Sequence, residues 1–464
     1  MESLAILPGG SPAAQVSVAA AARLRGELGL PGDKSISHRA LMLALLAEGE
    51  SRIEGAGDGA DVRSTAAIAA ALGAIVERSA RVAGAGGHRG DTGGRDGNAD
   101  YRVVSPGDGA LRPPAGVLDC GNSGTSLRLF AGILAGLPLT AVLDGDASLR
   151  GRPVARIIEP LRAMGATLSA RDHDSLPPLT VTGRRPLQSI DWTTPVPSAQ
   201  VKSAILLAGL RAGGTTRVHE RVATRDHTER MLGARGVTVR SKPDGEGGAV
   251  IEIDGGTAVQ ASEERVPGDV SAAAFWLVAG AVHPDADLTL RGVGVNPTRR
   301  AIVDILRRMG ASIDETPVAS PGGEPIADLR VRTAELEAID IGPTEVASAI
   351  DEIPILCLAA TQARGRTTIR GAGELRHKES DRLAGIAAGL DALGARIDVE
   401  GDDLTIDGPS RLTGGPTDSL DDHRLAMTFG IAGLIAAGRT TVGRPASASI
   451  SYPGFFTDLE RIRA

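Results

Sequence analysis

The sequence predicts an α/β (α+β) protein of two lobes, each made of three copies of one small unit. Four observations predict it. Six stretches of small polar residues each run straight into an apolar helix pattern: Gly32-Asp33-Lys34-Ser35, Gly121-Asn122-Ser123-Gly124-Thr125, Pro197-Ser198-Ala199-Gln200, Pro267-Gly268-Asp269-Val270-Ser271, Ala349-Ile350-Asp351-Glu352-Ile353-Pro354 and Leu420-Asp421-Asp422-His423-Arg424. These starts recur roughly every 70 to 90 residues, longer than a solenoid period and right for a compact βα unit. The helices that follow in each unit also close alike, at Ala71-Leu72-Gly73-Ala74, Ala163-Met164-Gly165-Ala166, Arg308-Met309-Gly310-Ala311 and Ala392-Leu393-Gly394-Ala395, with Ala234-Arg235-Gly236-Val237 a looser match. Finally, a polar stretch at 261–266 lies about midway and suits a crossing between lobes. The expected division is 31–264 for the first three repeats and 265–464 for the last three, the second lobe joined by the N-terminal segment 13–30.

Composition narrows the function. The 464 residues are 42% hydrophobic and 23% charged, ordinary for a soluble globular chain. A net charge of −7 with only five Phe, two Trp and two Tyr lacks the basic field and stacking rings that nucleic-acid binding uses. Two cysteines and eight scattered histidines give neither a disulfide framework nor metal-ligand spacing. The longest apolar runs fall short of the ~20 residues that span a bilayer, and no signal segment is evident. A cytoplasmic protein follows as the expectation.

In chain order, 1–20 reads as a ragged extension and 22–30 as a strand delivering the chain to the turn at Pro31-Gly32. Asp33, Ser35 and Ser37 are candidate caps, and Ile36, Ala40, Leu43, Ala44 and Ala47 recur at helical spacing. Lys34 and Arg39 then stand near the positive end of this helix, where cations are disfavoured unless an anion sits there. A turn and strand at 48–55 and a helix over 61–72 complete the unit. Gly, Arg and Asp crowd 79–114, which reads as a mobile insertion, with 315–325 a shorter example.

Later units repeat the theme of charge at a helix start. In the second, Gly121 and Gly124 permit close backbone approach to a ligand, Ser123 and Thr125 can cap, and Arg128 follows. Cys120 has no histidine placed to activate it and reads as a small buried residue. Arg150 and Arg152 precede the next helix. The third unit offers Ser198, Gln200 and Lys202, then Arg225 one strand later. In the fifth, Asp351 is either a helix cap or a carboxylate positioned as a general base. The run His377-Lys378-Glu379-Ser380-Asp381-Arg382, if helical, sets Lys378 and Arg382 four apart on one face. Arg424 opens the sixth. An acidic chain has thus gathered cations at repeat starts, which would make two opposed positive faces fit for a small polyanion.

These motifs resemble the 5-enolpyruvylshikimate-3-phosphate (EPSP) synthase family from about Leu30 to Phe456. The pieces are Pro31 to Arg39, Gly121 to Thr125 with Arg128, Ser198 to Lys202, Lys378 to Arg382, and Asp422 to Arg424. The resemblance implies a two-lobed enolpyruvyl-transferase fold, each lobe three βαβαββ units with helices inside, an inside-out α/β barrel. It implies a cytoplasmic monomer that transfers the enolpyruvyl group of phosphoenolpyruvate to the 5-hydroxyl of 3-phosphoshikimate, without metal or cofactor. By the same resemblance Lys34 touches both substrates and stands with Asp351 and Glu379 as the catalytic groups among which the proton transfers are divided, and Ser35, Arg39, Ser198, Ala199, Gln200 and Arg225 hold phosphoshikimate. Asp351 contacts the 5-hydroxyl with Lys378 nearby; Gly124, Arg152, Arg382 and Arg424 grip phosphoenolpyruvate, which Gln200 also reaches; Glu379 handles proton transfer at the methylene carbon. Gly124 leaves room for glyphosate. The related transferase acting on UDP-N-acetylglucosamine fits less well, since its Lys-Asn pair and loop cysteine are not matched by Lys34-Ser35 or by Cys120. One departure stands: Ser449-Ile450-Ser451-Tyr452-Pro453 lacks the lysine that many family members carry there.

Overall fold

Each small polar start opens a helix with almost no polar face, so each must be interior. In the computed structural model, which describes residues 15–81, 97–245 and 247–463, these helices are Lys34–Leu46, Gly124–Ala135, Ala199–Gly209, Val270–Val282, Ile353–Gln362 and His423–Ile435. Five are capped by a side chain that accepts a first-turn N–H, from Asp33, Ser123, Ser198, Asp269 and Asp422. The fifth in order has Glu352 at its cap position and no side-chain cap, so Asp351 is left free of that duty. Helices approach closely where glycine permits: a Cβ on Gly132 would lie 2.3 Å from the Ala204 carbonyl oxygen.

Around each inner helix one unit wraps a small mixed sheet. The second unit runs strand Leu118–Asp119, helix Gly124–Ala135, strand Thr140–Asp144, helix Ala155–Ala163, then strands Thr167–Ala170 and Leu176–Thr182. The first two strands pair in parallel, the others antiparallel. Among the described residues five sheets have four strands, while the sixth unit departs from this βαβαββ order, supplying only Pro416–Asp418 and Arg439–Gly443 and taking Gln15–Ala19 as its third strand. The sheets remain separate rather than closing into one continuous ring.

The leading strands of the first and fourth units are exchanged. Leu24–Gly29 runs into the first inner helix but pairs in parallel with Ala286–Gly294 of the fourth unit. Glu263–Arg265 runs toward the fourth inner helix but pairs with Glu48–Gly57 of the first. Between them the tripeptides Pro31-Gly32-Asp33 and Pro267-Gly268-Asp269 bond reciprocally, Asp33 N–H to the Pro267 carbonyl and Asp269 N–H to that of Pro31, both at 2.8 Å. Buried apolar residues divide accordingly into one cluster within 36–266 and another joining 16–30 to 270–462.

Three expectations need correction. Residues 98–106, read as part of a mobile insertion, form the strand Asn98–Pro106 in the interior of the first sheet, because Ala99, Tyr101, Val103 and Ser105 alternate inward; 82–96 lie outside the described residues. The shorter segment at 315–325 begins as strand Ser312–Val318. Gln15–Ala19, read as ragged extension, is a strand antiparallel to Arg439–Gly443, and 1–14 lie outside the described residues.

Candidate active site

Cations and carboxylates at the helix starts converge where the two lobes face. Asp351 stands just before the helix Ile353–Gln362 and meets Arg225 of the first lobe, whose Nη2 donates to Oδ2 at 3.0 Å. From its own lobe Arg382 Nη1 lies 3.5 Å and Lys378 Nζ 3.9 Å from Oδ1. Burial alone would raise this carboxyl, but Arg225, Lys378, Arg424 and Arg382 outweigh it and hold the group well below the usual carboxylate range.

The run at 377–383 is not one helix. Gly373–His377 is a short 3₁₀ turn, and the helix Arg382–Ala392 begins anew, capped by Asp381. Lys378 therefore does not stack on Arg382, and the break lets both point at Asp351. Arg382 is only 1% exposed. Its Nη2 donates to Glu379 at 2.5 Å and its Nε to Asp422 at 2.7 Å, so one guanidinium ties together three carboxylates. Burial raises Glu379, yet Arg382 wins and keeps it below its ordinary value. Arg424 donates from Nη1 to the Ser271 carbonyl at 3.3 Å, while its Nε has no protein partner.

On the first lobe a second group forms around Gly124. Arg128 Nη1 donates to Gln200 Oε1 at 2.6 Å, and Gln200 Nε2 to Thr125 Oγ1 at 3.0 Å. Arg152 donates through Nη2 to Asn122 Oδ1 at 2.6 Å. Burial, with Arg156 and Arg152 nearby, pulls Arg128 down to about 10. A Cβ on Gly124 would stand 2.7 Å from Arg128 Nη1, so a larger residue would shift that guanidinium, while Arg152 Nη1 at 3.8 Å would be in ordinary contact.

Lys34, at the first helical position, pairs with Asp61 and keeps its side chain 38% exposed. Arg39 is buried deeper, donating to Thr228 Oγ1 at 2.8 Å, Ser203 Oγ at 3.0 Å and the Ser35 carbonyl at 2.9 Å. Ser198 caps the helix that Ala199 begins. Lys34, Ser35 and Ser198 thus stand at helix starts of the first lobe, with Arg39 held one turn in.

Sequence reasoning missed several partners. In the sequence Asp422 is one residue of a motif, whereas in the structure it is the buried counterion of Arg382. Glu220 and Glu229 each sit 2.8 Å from the buried Lys202 ammonium. No local spacing announces these pairs, because their members lie on different elements. Cys120 is buried and its thiol is pushed up, foremost by desolvation, as its reading as a packing residue requires.

Comparison with known proteins gives a consistent result. A family model described as EPSP synthase (3-phosphoshikimate 1-carboxyvinyltransferase) matches residues 18–459. The 3-phosphoshikimate 1-carboxyvinyltransferase of Gloeobacter violaceus is 51% identical over 448 residues, covering 96% of this chain and 98% of that one. That of Bacillus cereus (strain ATCC 10987 / NRS 248) is 44% identical over 439 residues, 95% and 97% of the two chains. The solved structure of EPSP synthase from Acinetobacter baumannii superposes with a TM-score of 0.85 at 37% identity, covering 97% and 98%.

Proposed function

The chain belongs to the EPSP synthase family, and from that premise we propose how its residues divide the reaction. The enzyme transfers the enolpyruvyl group of phosphoenolpyruvate to the 5-hydroxyl of 3-phosphoshikimate, a step of aromatic biosynthesis. The hydroxyl oxygen adds to the central carbon of phosphoenolpyruvate while the methylene carbon gains a proton. Loss of that proton's equivalent from the methyl group and departure of phosphate then restore the double bond.

One observation carries the assignment of roles: Asp351 at the lobe junction, ringed by Arg225, Lys378 and Arg382. A carboxylate held ionised by flanking cations accepts or orients the 5-hydroxyl proton. Arg225, Arg39, Ser35, Ser198, Ala199, Gln200 and Lys378 hold phosphoshikimate, whose phosphate suits Arg geometry. Arg152, Arg382, Arg424 and the Gly124 backbone hold phosphoenolpyruvate, with Lys34 and Gln200 reaching both.

Glu379 serves the methylene carbon. Its depressed pKa in the free enzyme rests on Arg382. When the anionic groups of phosphoenolpyruvate share that guanidinium, less positive field reaches Glu379 and its proton affinity rises, as a proton donor requires. Asp351 faces four cations, Arg225, Lys378, Arg424 and Arg382, from both lobes.

We further propose a cytoplasmic monomer. Cys120 and Cys357 are both free and buried, as suits a reducing compartment. Among the described residues the exposed large apolar side chains are few, namely Ile75, Val117, Val196, Val318, Val399, Leu420 and Ile450, as suits a monomer.

The test is phosphate release from phosphoenolpyruvate with 3-phosphoshikimate or with UDP-N-acetylglucosamine as acceptor. Release with phosphoshikimate alone is expected. Release with neither would sink the assignment and leave an anion-binding protein on the same fold.

A further inference from the structure

Close to the Arg225–Asp351 ion pair the lobes share a second polar contact that the reaction does not use. Asp226, the residue after Arg225, accepts from Asn296 Nδ2 at 2.7 Å and Thr298 Oγ1 at 3.2 Å, and its own N–H donates to Thr298 Oγ1 at 3.3 Å. His227 Nδ1 lies 2.8 Å from Glu324 Oε1, and Asn296 Nδ2 also donates to Glu324 Oε2 at 2.9 Å. Asp226 and His227 belong to the first lobe; Asn296, Thr298 and Glu324 belong to the second. His227, Asn296 and Glu324 are 1%, 2% and 4% exposed.

The residue before Arg225 is fixed from the other side. Thr224 gives its carbonyl to the buried Lys202 at 3.3 Å and its N–H to Glu220 at 3.3 Å, both within the first lobe. Arg225 therefore sits on a three-residue span with one end pinned by its own lobe and the other by the opposite lobe. A buried polar junction gives less stability than an apolar one but fixes register more tightly.

We propose that Asp226, His227, Asn296, Thr298 and Glu324 form a cross-lobe clasp that positions Arg225, so that its guanidinium takes its working place only when the lobes meet. These are positioning residues; none is assigned a contact with substrate. The proposal rests on Arg225 being a phosphoshikimate cation, and it adds that the grip on phosphoshikimate is conditional on lobe contact.

Steady-state kinetics of Asn296→Ala, Thr298→Val, Arg225→Ala and the Asn296→Ala/Arg225→Ala double variant test it. Asn296→Ala is expected to raise KM for phosphoshikimate roughly tenfold while leaving KM for phosphoenolpyruvate within about twofold, with no further rise in the Arg225→Ala background. Thr298→Val, which removes only a hydroxyl, is expected to move the same constant less, and it carries the test if Asn296→Ala does not fold. Effects of Asn296→Ala and Arg225→Ala that multiply, or equal rises in both KM values, would overturn the clasp while leaving the role of Arg225 intact. An unchanged KM in Arg225→Ala would overturn the role of Arg225 and the clasp with it.

Discussion

Asp351 shows how one side chain takes its chemistry from its surroundings. Desolvation works against its charge, and four cations restore it. Asp351→Asn keeps the size and removes the basicity, so kcat should fall by roughly 10²- to 10⁴-fold, measured as phosphate release. Because its pKa lies below the ordinary carboxylate value, the base stays ionised as pH falls from 8 to about 5. A profile of kcat/KM should accordingly show no acid limb from this group in that window; a limb near pH 6 would contradict the assignment. At Gly124 the constraint is steric. Gly124→Ala sets a methyl 2.7 Å from Arg128 Nη1 and forces that guanidinium off Gln200. KM for phosphoenolpyruvate should rise several-fold, and glyphosate, expected to compete in the parent, should lose potency. Lys34, Arg39 and Arg128 stand out in the sequence because a cation near a helix start is a local anomaly, whereas Lys378 ends the 3₁₀ turn Gly373–His377 and stands before the helix Arg382–Ala392. Asp422, Glu220 and Glu324 do not stand out, since a buried counterion shows itself only once distant elements meet.

At the level of elements, the caps do more than start helices. Asp422 is wholly buried, accepts the Arg424 N–H at 2.8 Å with Oδ1, and takes Arg382 and Ser380 on Oδ2. Asp422→Ala uncaps the helix and strips a buried guanidinium of one counterion, which should cost about 3–5 kcal/mol, read as a lowered urea midpoint. The opposite outcome belongs to Asp269, which burial and the facing Asp33 carboxylate push up to about 6. Below about pH 4 it is protonated folded or unfolded and contributes nothing. As pH rises to about 6 the unfolded chain ionises first, so the folded state loses stability, and the loss is complete above that. Asp269→Asn should thus be more stable than the parent at pH 7 by on the order of 1–2 kcal/mol, an advantage that vanishes toward pH 4 in thermal melts. The six inner helices could be read from sequence because small polar caps are followed by unbroken apolar runs. The strand Asn98–Pro106 could not, because its alternation of Ala99, Tyr101, Val103 and Ser105 is short and stands beside Gly- and Arg-rich chain.

For the whole molecule, the exchange of leading strands makes the two lobes unequal. Every strand of the first three sheets lies within 48–265, whereas the fourth and sixth sheets draw Leu24–Gly29 and Gln15–Ala19 from the far end of the chain. A fragment spanning 31–266 should therefore fold by itself, with a cooperative thermal transition and dispersed amide resonances. A fragment spanning 267–464 should not, until a peptide covering 15–30 is added. Two lobes of three repeats were visible in the spacing of helix starts, with 13–30 expected to join the second lobe; the return exchange, in which Glu263–Arg265 pairs with Glu48–Gly57, was not, because a strand's alternation is the same in either sheet. During synthesis the same arrangement sets an order of events. The earliest strands to leave the ribosome must wait, unpaired and rich in Val and Leu, while the entire first lobe is made and folded, and Gln15–Ala19 waits until Arg439–Gly443 emerges near the end. Gln15–Ala19 is thus among the last strands to find its partner, and until then that segment of the growing chain is open to chaperones and proteases.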